Sequence, residues 1–280
     1  MTRSRHVALQ LATALLFLGC AGMSASVTSV TPVTPVTPVT SVATAPAPRL
    51  AVDVRADAAL HPLASSTQLV VVTTATWDTT GGTLRRYERG TTAGRWRSVG
   101  SREQIVVGRT GLAWDDALRP ASGTPVKREG DGRSPAGVFV LDTVFGFAPR
   151  EGTGWIRLPY LPVTAQTECV DDVRSVHYNT VVDRGGVSSV DWTSSEPMRR
   201  IEQYRLGVIV GYNVPPVASR GSCIFLHIWA GAGIGTEGCT AMPERVLTEL
   251  VLWLDRARRP TLVQLPEREY ARLRDSLALP

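Results

Sequence analysis

The chain has 280 residues, a formal net charge of +5 and 43% hydrophobic residues. A chain of this length can bury a large core. The positive charge is weak and is not gathered into a stripe of Lys and Arg with interleaved aromatic residues, so we expect no nucleic-acid partner.

The N-terminus has the pattern of an export signal. Two early arginines precede an apolar stretch at residues 7–18, which is too short to span a membrane. The stretch ends at Gly19-Cys20, which resembles a bacterial lipoprotein processing site with Cys20 as the lipidated residue. Ordinary cleavage within residues 21–25 is the alternative. We therefore expect export to the cell envelope or periplasm. If the signal is processed as a lipoprotein, a lipid on Cys20 would anchor the chain to the membrane.

Residues 21–60 are predicted to form a linker after the signal peptide at residues 1–20. Thr-Pro-Val occurs three times in a row over residues 31–39. Such Pro-rich sequence favours an extended, semi-rigid chain of about 3 Å per residue. Residues 61–280 are then predicted to form one folded domain, held by this spacer at a distance from the anchor.

The pattern within residues 61–280 predicts many short strands and few helices. Runs rich in β-branched and aromatic residues, separated by glycine-containing turns, predict strands at 68–74, 84–88, 95–99, 104–107, 138–141, 208–212 and 224–229. The Gly- and Pro-rich segment 130–137 is predicted to be a loop. Helices are predicted at 196–204, 243–257 and 266–277, with a strand at 261–265 between the last two. The expected fold class is therefore a mixed, β-rich α+β fold.

Residues 223–242 carry the most specific chemistry. His227 interrupts an apolar strand, and Gly238-Cys239 follows a glycine-rich loop. A neutral imidazole near a thiol can take its proton, and the thiolate is a nucleophile. Gly238 lets a carbonyl approach the sulfur, and backbone N–H groups just before a helix that opens at Pro243 could hold an oxyanion. The alternative is that His227 is a hydrogen-bonded core histidine and Cys239 an inert buried thiol.

Two segments together resemble one protein family. His227, a loop and then Thr236-x-Gly238-Cys239 is similar to the signature of the L,D-transpeptidase catalytic domain. Residues 127–137 contain Gly-Asp-Gly-Arg-Ser-Pro-Ala-Gly, which resembles the Gly-Asp-Gly-x-Thr/Ser-Pro-x-Gly segment of the same family. The chain departs from that pattern in a His-to-Cys loop that looks shorter and at two positions near the substrate.

These departures affect residues that would contact the substrate more than they affect the nucleophile. Glu237 stands where a second His usually precedes Gly-Cys, and residues 240–242 lack the Arg that is usual shortly after the Cys. In the family those side chains lie near the substrate. The resemblance therefore leaves the acyl acceptor open.

The resemblance implies a β-sandwich with peripheral helices and a covalent mechanism. Cys239 would be the nucleophile, His227 the proton acceptor and donor, and the N–H groups of Gly238 and Cys239 the oxyanion donors. The substrates would be peptidoglycan stem peptides, and no metal or organic cofactor would be needed. With water as acceptor the same site would be a carboxypeptidase, and without turnover the chain would be a wall-binding lipoprotein.

The remaining cysteines leave alternatives open. Cys169 and Cys223 could form a disulfide in an exported protein, although the sequence does not show that they meet. A zinc site made from Cys223, His227, Glu237 and Cys239 is a weaker alternative, because no short Cys-x-x-Cys spacing supports it.

His177 is the rival for the role of base. It is flanked by polar residues and lacks a nearby Gly-Cys, so we expect it at the surface or the rim of the site. Asp171-Asp172 could suggest a divalent metal, but no matching ligand set is visible, and a solvated acidic turn is the simpler interpretation.

Overall fold

The computed structural model describes residues 63–122 and 125–280. The predicted signal peptide, Cys20 and the predicted linker lie outside these residues. Within the described part of the chain, no helix is both long and apolar enough to cross a membrane.

Short strands make up most of the regular structure in the described ranges. In chain order they are β1 (Gln68–Thr74), β2 (Gly81–Glu88), β3 (Arg97–Val106), β4 (Leu112–Trp114), β5 (Ser134–Gly146), β6 (Tyr160–Pro162), β7 (Thr167–Val170), β8 (Thr180–Asp183), β9 (Ser195–Pro197), β10 (Leu206–Val210), β11 (Phe225–Ile228), β12 (Thr240–Met242) and β13 (Thr261–Pro266). The α-helices are α1 (Glu244–Trp253) and α2 (Glu267–Leu273). The domain is therefore a β-rich α+β fold, as the sequence predicts.

Eight strands form one closed, barrel-like mixed sheet. Their order is β5, β10, β11, β12, β3, β2, β1 and β13, and β13 pairs again with β5. The β1–β13 and β11–β12 pairs are parallel, and the other pairs of the ring are antiparallel. Strands β4 and β6 pair with β5 beside this ring. These strand pairings describe a closed ring, and the expected β-sandwich stays a prediction.

The core explains why the central strands are nearly continuous apolar runs. All six residues of β13 are buried, and so are six of the seven residues of β1. Strands that are covered on both faces lose the alternation of apolar and polar residues that a half-exposed strand shows. Helix α1 is amphipathic, and it buries the residues that the sequence places on one face, namely Val246, Leu247, Leu250 and Val251.

Three predicted elements differ from the structure because of strand pairing. The two strands predicted at 95–99 and 104–107 are one strand, β3, which pairs with β2 along almost its whole length. Its middle residues are polar because that part is exposed. The loop predicted at 130–137 ends sooner, since Ser134 already pairs with Leu112 of β4.

The helix predicted at 196–204 is wrong. The segment contains β9 and two 3₁₀ turns, at Met198–Arg200 and Glu202–Arg205. Pro197 keeps Glu196 extended, because the residue before a proline disfavours the α conformation. Strand β9 instead pairs with β7.

A disulfide joins Cys169 to Cys223, which the sequence left open. The two Cα atoms lie 5.9 Å apart, and 54 positions separate the residues in sequence. Cys169 lies in β7, the central strand of a separate three-stranded antiparallel sheet with the order β8, β7, β9. The bond therefore ties that sheet to the start of β11, and it removes Cys223 from the zinc ligands considered above.

We expect the double variant Cys169→Ala/Cys223→Ala to lose stability. In the chain-entropy description, a crosslink that closes a loop of 54 residues contributes about 4 kcal/mol to the free energy of unfolding. Urea denaturation of wild type and variant measures the difference. Reductant should lower the wild-type midpoint to that of the variant and leave the variant unchanged. Equal midpoints for both proteins without reductant would contradict the prediction.

Candidate active site

The pairing of β11 with β12 places His227 and Cys239 on the same face of the sheet. His227 is in β11 and lies opposite Ala241 of β12 in a parallel pair. Directly paired residues point to the same side, and so do residues two apart in a strand. Cys239 immediately precedes β12 and is two residues before Ala241, so continuing the alternation of the strand puts its side chain on the face of His227, and both side chains line the same cleft. The sequence predicted that these two side chains would meet but could not supply this register.

Both side chains line one cleft of about 470 Å³. Gly238, Tyr204 and Glu196 line it as well. The thiol and the imidazole themselves are almost covered, with 6% of Cys239 and 8% of His227 exposed. A ligand in the cleft would therefore meet the site in surroundings that contain little water.

Hydrogen bonding fixes the tautomer of His227. Its Nδ1 lies 2.7 Å from the carbonyl oxygen of Ile228, and since a carbonyl only accepts, Nδ1 carries the proton. The lone pair is then on Nε2. Burial lowers the pKa of the imidazole to about 4, so the ring is neutral at pH 7. His227 thus has the form that a general base requires.

Cys239 is held as a neutral thiol in this structure. Its Sγ accepts a hydrogen bond from the Phe225 N–H at 3.2 Å and donates one to the Cys223 carbonyl oxygen at 3.3 Å. Burial raises the pKa of the thiol far above its usual range, and the charge of Glu196 acts in the same direction. Because the thiol proton is directed at Cys223, it must leave that carbonyl before His227 can take it.

Two hydroxyl groups hold the loop that carries the thiol. Ser134 and Thr236 both donate to the carbonyl oxygen of Cys239, at 2.7 and 2.5 Å. Ser134 also accepts from the N–H of Gly108 at 2.8 Å. Sequence analysis placed Ser134 in a loop and did not assign it this role. The signal in the sequence that could have identified Ser134 was its position in the Gly-Asp-Gly-Arg-Ser-Pro segment. Its hydrogen bond joins that segment to the Thr236-x-Gly238-Cys239 loop.

The predicted contribution of a helix N-terminus to the site is wrong. Strand β12 follows Cys239, and α1 begins only at Glu244. The N–H of Gly238 donates to the Thr236 hydroxyl at 3.2 Å. Any stabilisation of an oxyanion would therefore come from individual N–H groups and not from the dipole of a helix.

Glu237 lines the cleft with an exposed side chain, whereas His177 lies outside it. Glu237, which replaces the second His of the family pattern, is exposed and forms an ion pair with Arg109 at 3.0 Å. His177 packs edge-on against Trp192, with the ring centres 5.4 Å apart. His177 is not among the residues of the cleft.

The two neighbouring aspartates differ in their surroundings. Asp172 accepts hydrogen bonds from the backbone N–H groups of Arg174 and Thr193, so it organises its own loop. Asp171 lines the cleft, and one of its carboxylate oxygens is buried and has no hydrogen-bond partner among the described residues. Among the residues that the structure describes, no group of three or more His, Cys, Asp or Glu side chains is arranged to hold a metal ion.

Tyr204 and Glu196 are the cleft residues that sequence analysis missed. The Tyr204 hydroxyl donates to Glu196 Oε2 at 2.7 Å, and its ring packs edge-on against His227 with the centres 5.3 Å apart. A lone Tyr at the end of a segment predicted to be helical gives no signal for such a contact. Only the fold brings β9 and the turn after it to the thiol.

The candidate site thus consists of a neutral thiol and a neutral imidazole with a free Nε2, on one face of two parallel strands. Comparisons with family models, curated proteins and solved structures found no match to this chain.

Proposed function

We propose that this chain is a cysteine-dependent L,D-transpeptidase that acts on peptidoglycan stem peptides. The observation that carries the proposal is the β11–β12 register, which puts His227 and Cys239 on one face and in one cleft. The resemblance of Thr236-x-Gly238-Cys239 and of residues 127–137 to that family adds the substrate class. The finer expectation for the fold, an L,D-transpeptidase-like β-sandwich with peripheral helices, belongs to the same proposal.

The chemistry is an acyl transfer in two steps. The Cys239 sulfur attacks the carbonyl carbon of the amide after the third stem residue, while Nε2 of His227 takes the thiol proton. The C–N bond breaks, and His227 gives the proton to the nitrogen of the leaving D-amino acid. An amine of another stem, or of a protein, then attacks the thioester. This step forms a new amide and returns the proton to the sulfur.

Backbone N–H groups would hold the oxyanion. The N–H of Gly238 would exchange its hydrogen bond to the Thr236 hydroxyl for one to the substrate oxygen, and the N–H of Cys239 would be the second donor. The Thr236 hydroxyl would keep its bond to the Cys239 carbonyl and so hold the loop during this exchange. These steps use only groups of the chain and the substrate.

The sequence signals place this activity in the envelope. An export signal, a Pro-rich spacer and a lipid anchor on Cys20 would hold the domain within reach of the wall polymer. Water as the acceptor would make the enzyme a carboxypeptidase.

A second candidate function is a wall-binding lipoprotein without catalysis. One specific observation favours it, namely that burial raises the pKa of Cys239 and that the thiol donates to the Cys223 carbonyl. An inert thiol would have these properties as well. The two candidates differ in turnover and not in ligand class.

Incubation with defined muropeptides, followed by mass analysis of the products, tests the proposal. We expect a cross-linked dimer with loss of the terminal D-amino acid. A shortened monomer would indicate the carboxypeptidase. Unchanged muropeptides together with sedimentation of the protein with sacculi would reject the enzyme and support the wall-binding candidate.

A further inference from the structure

The Tyr204 hydroxyl is bonded to a carboxylate in the cleft that also holds the candidate nucleophile. It donates its proton to Glu196 Oε2 at 2.7 Å. The Tyr204 ring is buried and packs edge-on against both Phe225 and His227, with ring centres 5.4 and 5.3 Å away. This packing holds the hydroxyl in place, since the ring has few other positions available.

The same hydroxyl acts on the Cys239 thiol, because hydrogen bonding between them lowers the pKa of the thiol and raises that of Tyr204. Tyr204, Phe225 and Cys239 belong to one buried cluster, and the N–H of Phe225 reaches the sulfur at 3.2 Å. A proton donated by Tyr204 would lower the pKa of the thiol, whereas the charge of Glu196 raises it. A tyrosine hydroxyl has one proton and can donate it to only one acceptor at a time.

We propose that Glu196 is a positioning residue that acts on Cys239 through Tyr204. As an anion, Glu196 accepts the hydrogen bond of the Tyr204 hydroxyl. The Tyr204 oxygen then has no proton to donate to the sulfur, and Cys239 stays in the thiol form. When Glu196 is neutral, its own O–H can donate to the Tyr204 oxygen, and the Tyr204 hydroxyl can then donate to the sulfur and stabilise the thiolate, as it can when a Gln N–H takes the place of that donor. The inference rests on the proposed function in taking Cys239 as the nucleophile.

Glu196 is able to change its charge near neutral pH. Burial raises its pKa to about 7, and the charges of Asp171 and Glu129 add to this. The other titratable side chains that line the cleft are Lys127, Glu129, Asp171, His227 and Glu237. Lys127 is engaged with Asp131 at 2.7 Å, and His227 stays neutral because of its burial.

The pH dependence of Cys239 alkylation tests this inference. The full-length protein with its disulfide intact is treated with iodoacetamide, and the peptide that contains Cys239 is quantified by mass. In Glu196→Gln we expect the midpoint of the pH profile to fall by about one unit. On the rising part of the profile this corresponds to alkylation that is about tenfold faster at a given pH.

Two further variants separate action through Tyr204 from a general effect of charge. In a Tyr204→Phe background, Glu196→Gln should shift the midpoint by much less, because no hydroxyl proton remains to be redirected. Glu202→Gln removes an exposed carboxylate of the following turn that pairs with Arg205, and it should leave the midpoint unchanged. An equal shift of the midpoint in both backgrounds, or the same shift in Glu202→Gln, would overturn the inference.

Glu196→Asp keeps the measurement decisive if the Gln variant folds poorly. A retained carboxylate should preserve the high midpoint of wild type, and a midpoint that falls as in Glu196→Gln would overturn the inference. Alkylation needs no peptide substrate. A shifted profile in a protein that never forms an acyl-enzyme would therefore reject the proposed function while leaving this coupling intact.

Discussion

Replacing Cys239 by alanine should abolish the formation of an acyl-enzyme. Incubation of the wild-type chain with a stem tetrapeptide or a carbapenem should add one acyl group to its intact mass, and the Cys239→Ala variant should show no addition. The physical reason is that Cys239 is the free cysteine among the described residues, because Cys169 and Cys223 form the disulfide. The substitution removes a single buried sulfur atom, and we expect the variant to remain folded.

Cys20→Ala is the matched control for this experiment. It removes the remaining cysteine of the chain, which lies outside the described residues. The acyl group should still form in Cys20→Ala and should map to the peptide that contains Cys239. An adduct that persists in Cys239→Ala, or one that disappears in Cys20→Ala, would reject the assignment of the nucleophile.

Replacing His227 by glutamine should lower the rate of acylation by about 10² to 10⁴-fold. Glutamine can occupy similar space but cannot take the thiol proton at neutral pH. His177→Gln is the control, because that ring packs against Trp192 outside the cleft. Single-turnover acylation followed by intact mass measures both variants. Equal losses in the two variants, or none in His227→Gln, would contradict the role of His227 as the base.

The pH dependence of acylation gives an independent readout of His227. A base acts when it is unprotonated, and burial lowers the pKa of this imidazole from 6.5 to about 4. The contribution of His227 should therefore persist as the pH falls through 6.5 and disappear only near 4. Between these values the unfolded chain binds a proton that the folded chain does not. The free energy of unfolding therefore decreases as the pH is lowered from 6.5 to 4. Circular dichroism at each pH separates this loss of stability from the loss of the base.

Local sequence patterns predicted much of the secondary structure. The β-branched run of β1 and the apolar face of α1 are local patterns, and both elements formed where they were predicted. The helix predicted at 196–204 failed because β9 is stabilised by pairing with β7, a distant partner. The start of β5 at Ser134 was missed for the same reason, since it depends on pairing with β4.

The residues of the candidate site also fall into those that the sequence could identify and those that it could not. His227, Gly238 and Cys239 could be named in advance, because a histidine in an apolar strand and a Gly-Cys pair after a glycine-rich loop are unusual in any chain. Tyr204 and Glu196 could not, because their types and spacing are ordinary. The role proposed for them depends on their sharing a cleft with a thiol that is more than 30 residues away in sequence.

The sequence by itself determined the β-rich class, the export and linker signals as expectations, and the pair of residues on which the proposed chemistry depends. Only the tertiary structure decided that the two side chains share a face, that Nε2 of His227 is free and that Cys239 is a buried, protonated thiol. It also decided the partner of Cys223 and the contact between Tyr204 and Glu196. The physical reason is that composition and periodicity are local properties. Strand register, burial and the pKa values that follow from burial depend on segments that meet only after folding.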